Sequence, residues 1–335
     1  MQYQKTDLQA LLADRQAACQ KFDWETLNSP PPLLTIQAPM VRCSRPPFRR
    51  VCRLYGTDIS YSHMIMADSF TRSDEARQAD FAGYFGESRL VVQLAGTDPE
   101  AVGEAAVLLS PYCDAFDINC GCPQKWAMKE GIGAAMMTKP QLVHDIVRSV
   151  YRKSGTPCVV KMRVFDDPQR TVDFAQQVQA AGSAWLTVHG RTWDDNPSAP
   201  LRFETIETVR QSLQVPLVVN GCIDSLVSAY ETSRKCKVGS VMSARALLSN
   251  PALFDRSPSS YSPLPVPPEA VCDFMRLSVV WNANVVTTRH HLLLMLHQML
   301  TPSERLFISQ QQSLIGIVRC LKESGYWTDC GRFVV

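Results

Sequence analysis

The stretch Ile118-Asn119-Cys120-Gly121-Cys122-Pro123-Gln124 sets a thiol directly before a proline. A thiol held there can give or take a proton. Ala115 to Asn119 has the length and composition of a short buried strand, and Gly121 and Pro123 break it, so Cys122 belongs to the loop that follows. Functional side chains concentrate on such loops. Cys120 and Cys122, one residue apart, also suggest a metal, but a structural zinc site needs about four N or S ligands. No second Cys-X-X-Cys or His-X-His is present, so no metal is expected. Nucleophilic use of Cys122 requires an activating histidine; His189 is available, which leaves a thiol hydrolase or transferase open. Gly131 and Gly133, just downstream, read either as hinges of a lid carrying Cys122 or as a tight turn.

These residues need a frame. After an N-terminal stretch of helical character, β-rich segments recur at 33–39, 58–62, 90–95, 115–119, 158–163, 185–189, 217–220 and 239–242. Amphipathic stretches with helix-start residues lie between them, at 99–109, 140–151, 171–181, 203–213 and 226–235. Alternation of this kind implies a parallel sheet. Eight such units suit a closed (β/α)8 TIM barrel better than an open doubly wound sheet of five or six strands. The fold class expected is α/β, a barrel over 33–254, with residues 1–32 as a helical extension. Residues 255–268 are rich in proline and serine, and because the prolines remove donors and exclude helix, they read as a linker. Beyond it, 269–325 reads as a small domain of about three helices with a break at Thr301-Pro302-Ser303-Glu304, and 326–335 as a tail.

Barrel enzymes build their sites at the C-terminal ends of the strands. Here those ends carry Ala38-Pro39-Met40, Gln93, Asn119 with Cys122, Lys161 with Arg163, His189-Gly190-Arg191-Thr192, Asn220-Gly221 and Ala244-Arg245. The loops after the last two strands commonly hold phosphate through backbone N–H groups. In this chain they are Asn220-Gly221-Cys222-Ile223 and Ser243-Ala244-Arg245-Ala246, where small residues admit an anion and Arg245 adds a forked cation. Lys161 follows Val159 and Val160 on an apolar strand, and a charge there needs a partner. A cofactor anion is one candidate, and the core carboxylate Asp117 is the other.

Composition limits the alternatives. With 335 residues, 45 % of them hydrophobic, the chain can bury a large core. Its twelve cysteines do not read as a secreted disulfide scaffold, because the first residues show no apolar signal core. Cys19, Cys43, Cys52, Cys113, Cys158, Cys272 and Cys320 lie among apolar or helical residues, as reduced cysteines do. An intracellular protein, in cytoplasm or nucleus, without a disulfide-linked partner, is expected. The longest apolar run, around 291–297, is too short to span a bilayer, so no membrane partner is expected. The net charge of +2 carries no signal for nucleic acid.

Taken together, Asn119-Cys120-Gly121-Cys122-Pro123, Gly131-X-Gly133-Ala134, Lys161-X-Arg163, His189-Gly190-Arg191-Thr192 and Gly239-X-Val241-Met242-X-Ala244-Arg245 resemble the tRNA dihydrouridine synthase family over about 34–251. The continuation Gln124-X-Trp126-Ala127-Met128 is most similar to its type-4 branch, whose targets are neighbouring D-loop uridines. The resemblance implies FMN, with NADPH or NADH as reductant, and tRNA as substrate. It implies cofactor contacts at Pro39, Met40, Val41, Gln93, Lys161, His189, Asn220, Gly221, Cys222, Ala244 and Arg245. It further implies hydride transfer to uracil C6, with Cys122 as the acid that protonates C5 and Asn119 and Arg163 on the uracil edge. An ordinary thiol, mostly protonated at neutral pH, suits that role. The uridine must leave its stack to react. Arg49, Arg50, Arg53, Lys125, Lys129, Arg289, Arg305 and Arg319 are candidates for its phosphates.

The chain departs from the family pattern at Cys222, where aspartate or glycine is common, and at Ala246, where glycine is, a strained choice if positive φ is needed. Ser62-His63-Met64 also differs, and position choice on tRNA need not transfer. Two other functions remain in view: an FMN barrel acting on a free pyrimidine, against which the extra helical domain speaks, and a catalytically idle tRNA-binding barrel, against which intact Cys122, Lys161 and His189 speak.

Overall fold

The computed structural model describes Leu27 and residues 33–257 and 265–328. The N-terminal extension apart from Leu27, Cys19, residues 258–264 of the linker and tail residues 329–335 lie outside the described residues. The strands are β1 (Leu34–Gln37), β2 (Ile59–Tyr61), β3 (Ile65–Met66), β4 (Leu90–Ala95), β5 (Ala115–Cys120), β6 (Cys158–Arg163), β7 (Leu186–His189), β8 (Leu217–Asn220) and β9 (Ser240–Ser243). Every pairing is parallel, and the order β2-β1-β9-β8-β7-β6-β5-β4 closes because β2 also pairs with β4 at Ser60↔Leu90 and Tyr61↔Val91. Eight strands therefore make a complete barrel, and the two-residue β3 is an addition along the rim end of β4.

Between the strands run α1 (Pro46–Leu54), α2 (Ala67–Arg72), α3 (Asp74–Asp80), α4 (Pro99–Leu109), α5 (Lys125–Lys129), α6 (Pro140–Ser154), α7 (Pro168–Ala180), α8 (Phe203–Ser212), α9 (Leu226–Cys236) and α10 (Arg245–Ser249). Local chemistry sets several starts. Pro99 and Pro168 open α4 and α7 in the first turn, where a missing N–H costs nothing, and the preceding Asp98 and Asp167 side chains accept from Glu100 and Gln169 N–H at 3.0 and 2.9 Å.

Strand alternation decides which side chains reach the interior. Leu34, Ile36, Ile59, Tyr61, Val91, Ala115, Val159, Trp185, Val218 and Met242 form an inner core, which buried Leu27 joins from the end opposite the rim, its carbonyl accepting from Ser240 Oγ. The intervening residues, such as Ile118, Cys120, Val160, Met162 and Val188, face the helices in a second core. With both faces covered, each strand reads as almost continuously apolar.

After the barrel come α11 (Pro268–Val280), α12 (Val285–Met295), α13 (Pro302–Ser309) and α14 (Leu314–Glu323). Four helices stand where about three are expected, because the turn between α11 and α12 contains neither proline nor glycine; Asn282 takes φ 44° and Asn284 caps α12. The Thr301–Glu304 break is a reciprocal capping box. These helices share a core with the barrel. Tyr55 Oη at the end of α1 donates to buried Asp273 at 2.9 Å, and the His291 ring lies 4.4 Å from that of Phe48 and 5.0 Å from that of Phe274.

Arg49 is no candidate for phosphate. It is 1 % exposed and forks onto Glu87 at 2.6 and 2.8 Å, with further bonds to the Ser44 and Ala82 carbonyls at 2.9 and 2.8 Å. An amphipathic helix otherwise rich in arginine had hidden which of its cations turns inward. Breaking a buried pair from one side strands a charge and costs about 3–5 kcal/mol. Glu87→Ala is expected to lose that much in urea unfolding; a loss below about 1 kcal/mol would show the pair to be dispensable.

Candidate active site

The inward alternation that builds the inner core ends, strand by strand, on the polar residues of the rim. Val91 leads to Gln93, Ala115 to Asp117 and Asn119, Val159 to Lys161 and Arg163, Trp185 to Thr187 and His189, and Val218 to Asn220. Register then sets neighbours: Gln93 beside Asp117, Asn119 beside Lys161, Arg163 beside His189, and His189 beside Asn220.

Around Cys122 the hydrogen bonds form a chain. Asp117 Oδ2 accepts from Gln93 Nε2 at 2.7 Å, and Gln93 Oε1 accepts from Asn119 Nδ2 at 3.2 Å. Asn119 Nδ2 also donates to Met64 Sδ at 2.9 Å, while its Oδ1 accepts from the N–H groups of Gly121 and Cys122, both at 3.0 Å. Its amide is fully spent inside the protein, so Asn119 serves the cysteine loop; a bond to a uracil edge would require one of these four to be given up. Arg163 braces the loop from the next strand, with Nε on Gly121 O at 2.7 Å and Nη1 on Thr192 O at 2.8 Å. Gly133 closes the seat from below at φ 65°, and Ala134 N–H donates to Cys122 O at 2.9 Å. A Cβ on Gly133 would stand 2.6 Å from the Cys122 oxygen. Cys122 itself is half-buried, while Cys120 is buried in the outer core, so the two thiols belong to different packing environments. No hydrogen bond joins Cys122 to His189 among the described residues, and the thiol–imidazole pair of a cysteine nucleophile is not formed.

A second cluster gathers cations. Arg191 Nη2 lies 2.9 Å from Cys222 Sγ, its Nη1 is 3.4 Å from His189 Nε2, and Arg245 Nη2 donates to Pro197 O at 2.9 Å. With Asn220, Gly221, Cys222 and Ala244 they line a cavity of about 480 Å³, into which Asp224 also faces. Burial, and then the charges of Lys161, Arg163, Arg191 and Arg245, push the His189 imidazole down to about 2. Its Nδ1 is buried without a hydrogen-bond partner. Pro39, Met40 and Val41 are not in the wall of this cavity; they occupy the adjoining rim, where Ala38 N–H donates to Ser243 O at 2.9 Å. The strain expected at Ala246 is absent, since that residue sits inside α10. The left-handed residue is Cys222, at φ 53°.

The Dihydrouridine synthase family pattern matches residues 36–305. The chain belongs to the dihydrouridine synthase family. It is 37 % identical to a tRNA-dihydrouridine(20a/20b) synthase-like protein of Mus musculus over 82 % of this chain and 83 % of that one. It is 40 % identical to a tRNA-dihydrouridine(20a/20b) synthase of Schizosaccharomyces pombe over 82 % of each. Among solved structures, a 2-naphthoyl-CoA reductase superposes with a TM-score of 0.51 at 10 % identity, covering 69 % of this chain and 52 % of that one, a likeness of fold. Membership makes the chain an oxidoreductase that reduces uridine in tRNA to dihydrouridine.

Within this synthase the sequence had left Arg191 without a part of its own and had named Asp117 only as a core carboxylate that could pair with Lys161. Arg191 stands in the His189-Gly190-Arg191-Thr192 stretch, and its position beside His189 and Cys222 required the fold to be seen. Asp117 is fully buried, with Oδ1 unpartnered, and burial raises its carboxyl well above the usual range. No ion pair joins it to Lys161 among the described residues, so the paired-lysine reading fails in its direct form. They interact through charge: burial, with Arg163 next, lowers Lys161, and Asp117 pulls it back up.

Two outcomes follow from the buried groups. His63, His189 and His291 titrate at about 3, 2 and 3, each chiefly because of burial. Unfolded, they bind protons near pH 6.5. Between those limits the unfolded chain holds more protons, so stability present above about pH 6.5 drains away as the pH falls toward 3. The urea midpoint should drop from pH 7 to pH 5, and drop less in His291→Leu; equal losses in both proteins would contradict the burial of that ring. Gly133→Ala should displace Cys122 and change its alkylation rate, read by mass spectrometry of its peptide; an unchanged rate would show that the turn yields.

Proposed function

We propose that this synthase holds FMN on the rim, draws reducing equivalents from NADPH or NADH, and acts on a uridine in the D-loop of tRNA. The observation that carries the reading is the concentration of Lys161, Arg163, Arg191 and Arg245 around His189, an imidazole that cannot itself take up a charge at working pH. Such a set calls for an anion. A cofactor bearing a phosphate and an electron-rich ring fits the donors present: Arg191, Arg245 and the Asn220–Cys222 backbone for the phosphate, Lys161 for the ring, and His189 Nδ1 for a further polar atom. The relatives named above carry NAD(P)+ in their names, which supports the nicotinamide reductant.

Held by these residues and reduced, FMN would supply a hydride for uracil C6. The chain's own residues do the rest. Cys122 gives its Sγ proton to C5: the S–H bond breaks, the electron pair of the former C5=C6 bond takes the proton, and the thiolate regains one from water. Asn119, Gly121 and Gly133 fix where that thiol stands. Arg163, held by two carbonyls through Nε and Nη1, has Nη2 left to polarise a uracil carbonyl. Asp117 keeps Lys161 charged by opposing the effects of burial and of Arg163. The helices α11–α14 are assigned to tRNA binding. Within them Arg319 is exposed, whereas Arg289 and Arg305 donate to the Gln311 and Leu300 carbonyls and act mainly as internal ties.

The test is mass spectrometry of defined D-loop fragments from unmodified tRNA after incubation with protein, FMN and NADPH. A gain of two hydrogens at one uridine supports the reading; bound FMN with no gain would contradict the substrate, and absence of FMN the cofactor. Cys122→Ala should retain FMN absorbance and tRNA affinity while the rate falls about 10²–10⁴-fold. Full activity in that variant would remove the thiol from the reaction.

A further inference from the structure

Trp126 is the one exposed tryptophan among the described residues: it is 46 % exposed, whereas Trp185 is buried and Trp193, Trp281 and Trp327 are half-buried. A ring of that size left open beside a reaction centre calls for a partner. It lies on α5, four residues after Cys122, and α5 is tied to the cysteine loop from several sides. Met128 N–H donates to Gln124 O at 3.0 Å, Ile132 N–H to Ala127 O at 3.0 Å and Ala134 N–H to Cys122 O at 2.9 Å. Ala127 is buried with Met64, Ala95 and Ile132 in the small cluster against which Cys122 packs. Trp126 therefore keeps a fixed relation to the catalytic thiol.

Its chemistry suits a nucleobase. The indole N–H is satisfied by Gln124 Oε1, so what remains for a partner is the flat face of the ring. Exposed Lys125 and Lys129 flank it, with Glu130 the one acid next to them. A planar apolar face between two cations complements a base between two phosphates. The reaction also creates the need: drawing one uridine out of its stack deprives the neighbouring base of a stacking partner. An aromatic ring can replace that partner whatever the identity of the base.

Building on the tRNA reading above, we propose that Trp126 is the stacking platform for the nucleobase adjoining the target uridine, with Lys125 and Lys129 on the flanking phosphates. Because stacking is tolerant of sequence, Trp126 sets which position along the strand meets Cys122 rather than which base is read. It is a specificity residue acting through register, and it limits which uridines of the loop reach the thiol.

The experiment compares full-length, FMN-loaded wild type with Trp126→Ala and Trp126→Phe on D-arm RNAs carrying 2-aminopurine on either side of the target. Wild type and Trp126→Phe should quench 2-aminopurine on one side. Trp126→Ala should lose that quench, raise KM for RNA about tenfold and spread dihydrouridine over neighbouring positions. NADPH-driven cofactor reduction without RNA should be unchanged in both variants. Unaltered quench, KM and product position in Trp126→Ala would overturn the proposal, as would a change confined to sedimentation, which would make the ring a protein contact. Equal losses in Trp126→Phe would overturn it too, by showing that packing rather than stacking is at stake. A wild-type protein that neither binds nor modifies RNA would instead defeat the tRNA reading itself.

Discussion

Asn119 commits four hydrogen bonds to its own protein, and the position of Cys122 depends on them. An asparagine has two donors and two acceptor lone pairs to offer; here the donors go to Gln93 and Met64 and the acceptor oxygen takes the N–H groups of Gly121 and Cys122. A loop that leaves a strand at a glycine would otherwise have two peptide N–H groups without partners, each costly if buried. The side chain supplies what the strand no longer can, and so converts a flexible exit into a fixed one. Gly133 completes the seat because only a residue without Cβ can pass that close to the Cys122 carbonyl. The thiol is thus placed by the backbone of its own loop, and Gly133 is the neighbour whose size that placement cannot tolerate.

The same chain of bonds reaches down to Asp117, which links placement to charge. An acid buried without an ion pair and an amine half-buried above it are each unfavourable alone. Close together they restrain one another, Asp117 being drawn toward ionisation by Lys161 and Lys161 toward protonation by Asp117. The remaining cations, Arg163, Arg191 and Arg245, tip the rim strongly positive. A protein tolerates such a concentration of cations where an anion offsets it, and this is the physical ground of the cofactor reading proposed above.

Much of this was legible in the sequence because a barrel obeys a period of two. Once Val91, Ala115, Val159 and Val218 are inward, Gln93, Asn119, Lys161 and Asn220 must be inward as well, and the strand ends put them on one rim. Spacing carries no such information about neighbours across helices or loops. Arg49 looked like any arginine of an amphipathic helix, and Glu87, its partner, is 38 positions away. Glycine preference pointed to Ala246 for backbone strain, but the left-handed turn falls at Cys222, where Arg191 meets the sulfur. The missing break between α11 and α12 shows the limit of punctuation by proline and glycine, since an asparagine at positive φ ended the helix instead.

The place of the final helices follows from α1. The rim loop Ala38–Met40 turns through Ser44, whose Oγ accepts from Met40 N–H at 3.0 Å and from Gln37 Nε2 at 2.7 Å, and runs at once into α1. The far side of α1 holds Phe48 against His291 and Tyr55 against Asp273. A cleft of about 790 Å³ opens between this helix and α12, with Arg42 and Arg45 on one wall and Trp281, Asn284 and His291 on the other. The element that frames the first stretch of the rim therefore also packs directly against the helical domain. Removing residues after the barrel would uncover Phe48 and Tyr55 and loosen α1, so whether the domain binds substrate has to be probed by changing its surface charges while its core is left intact.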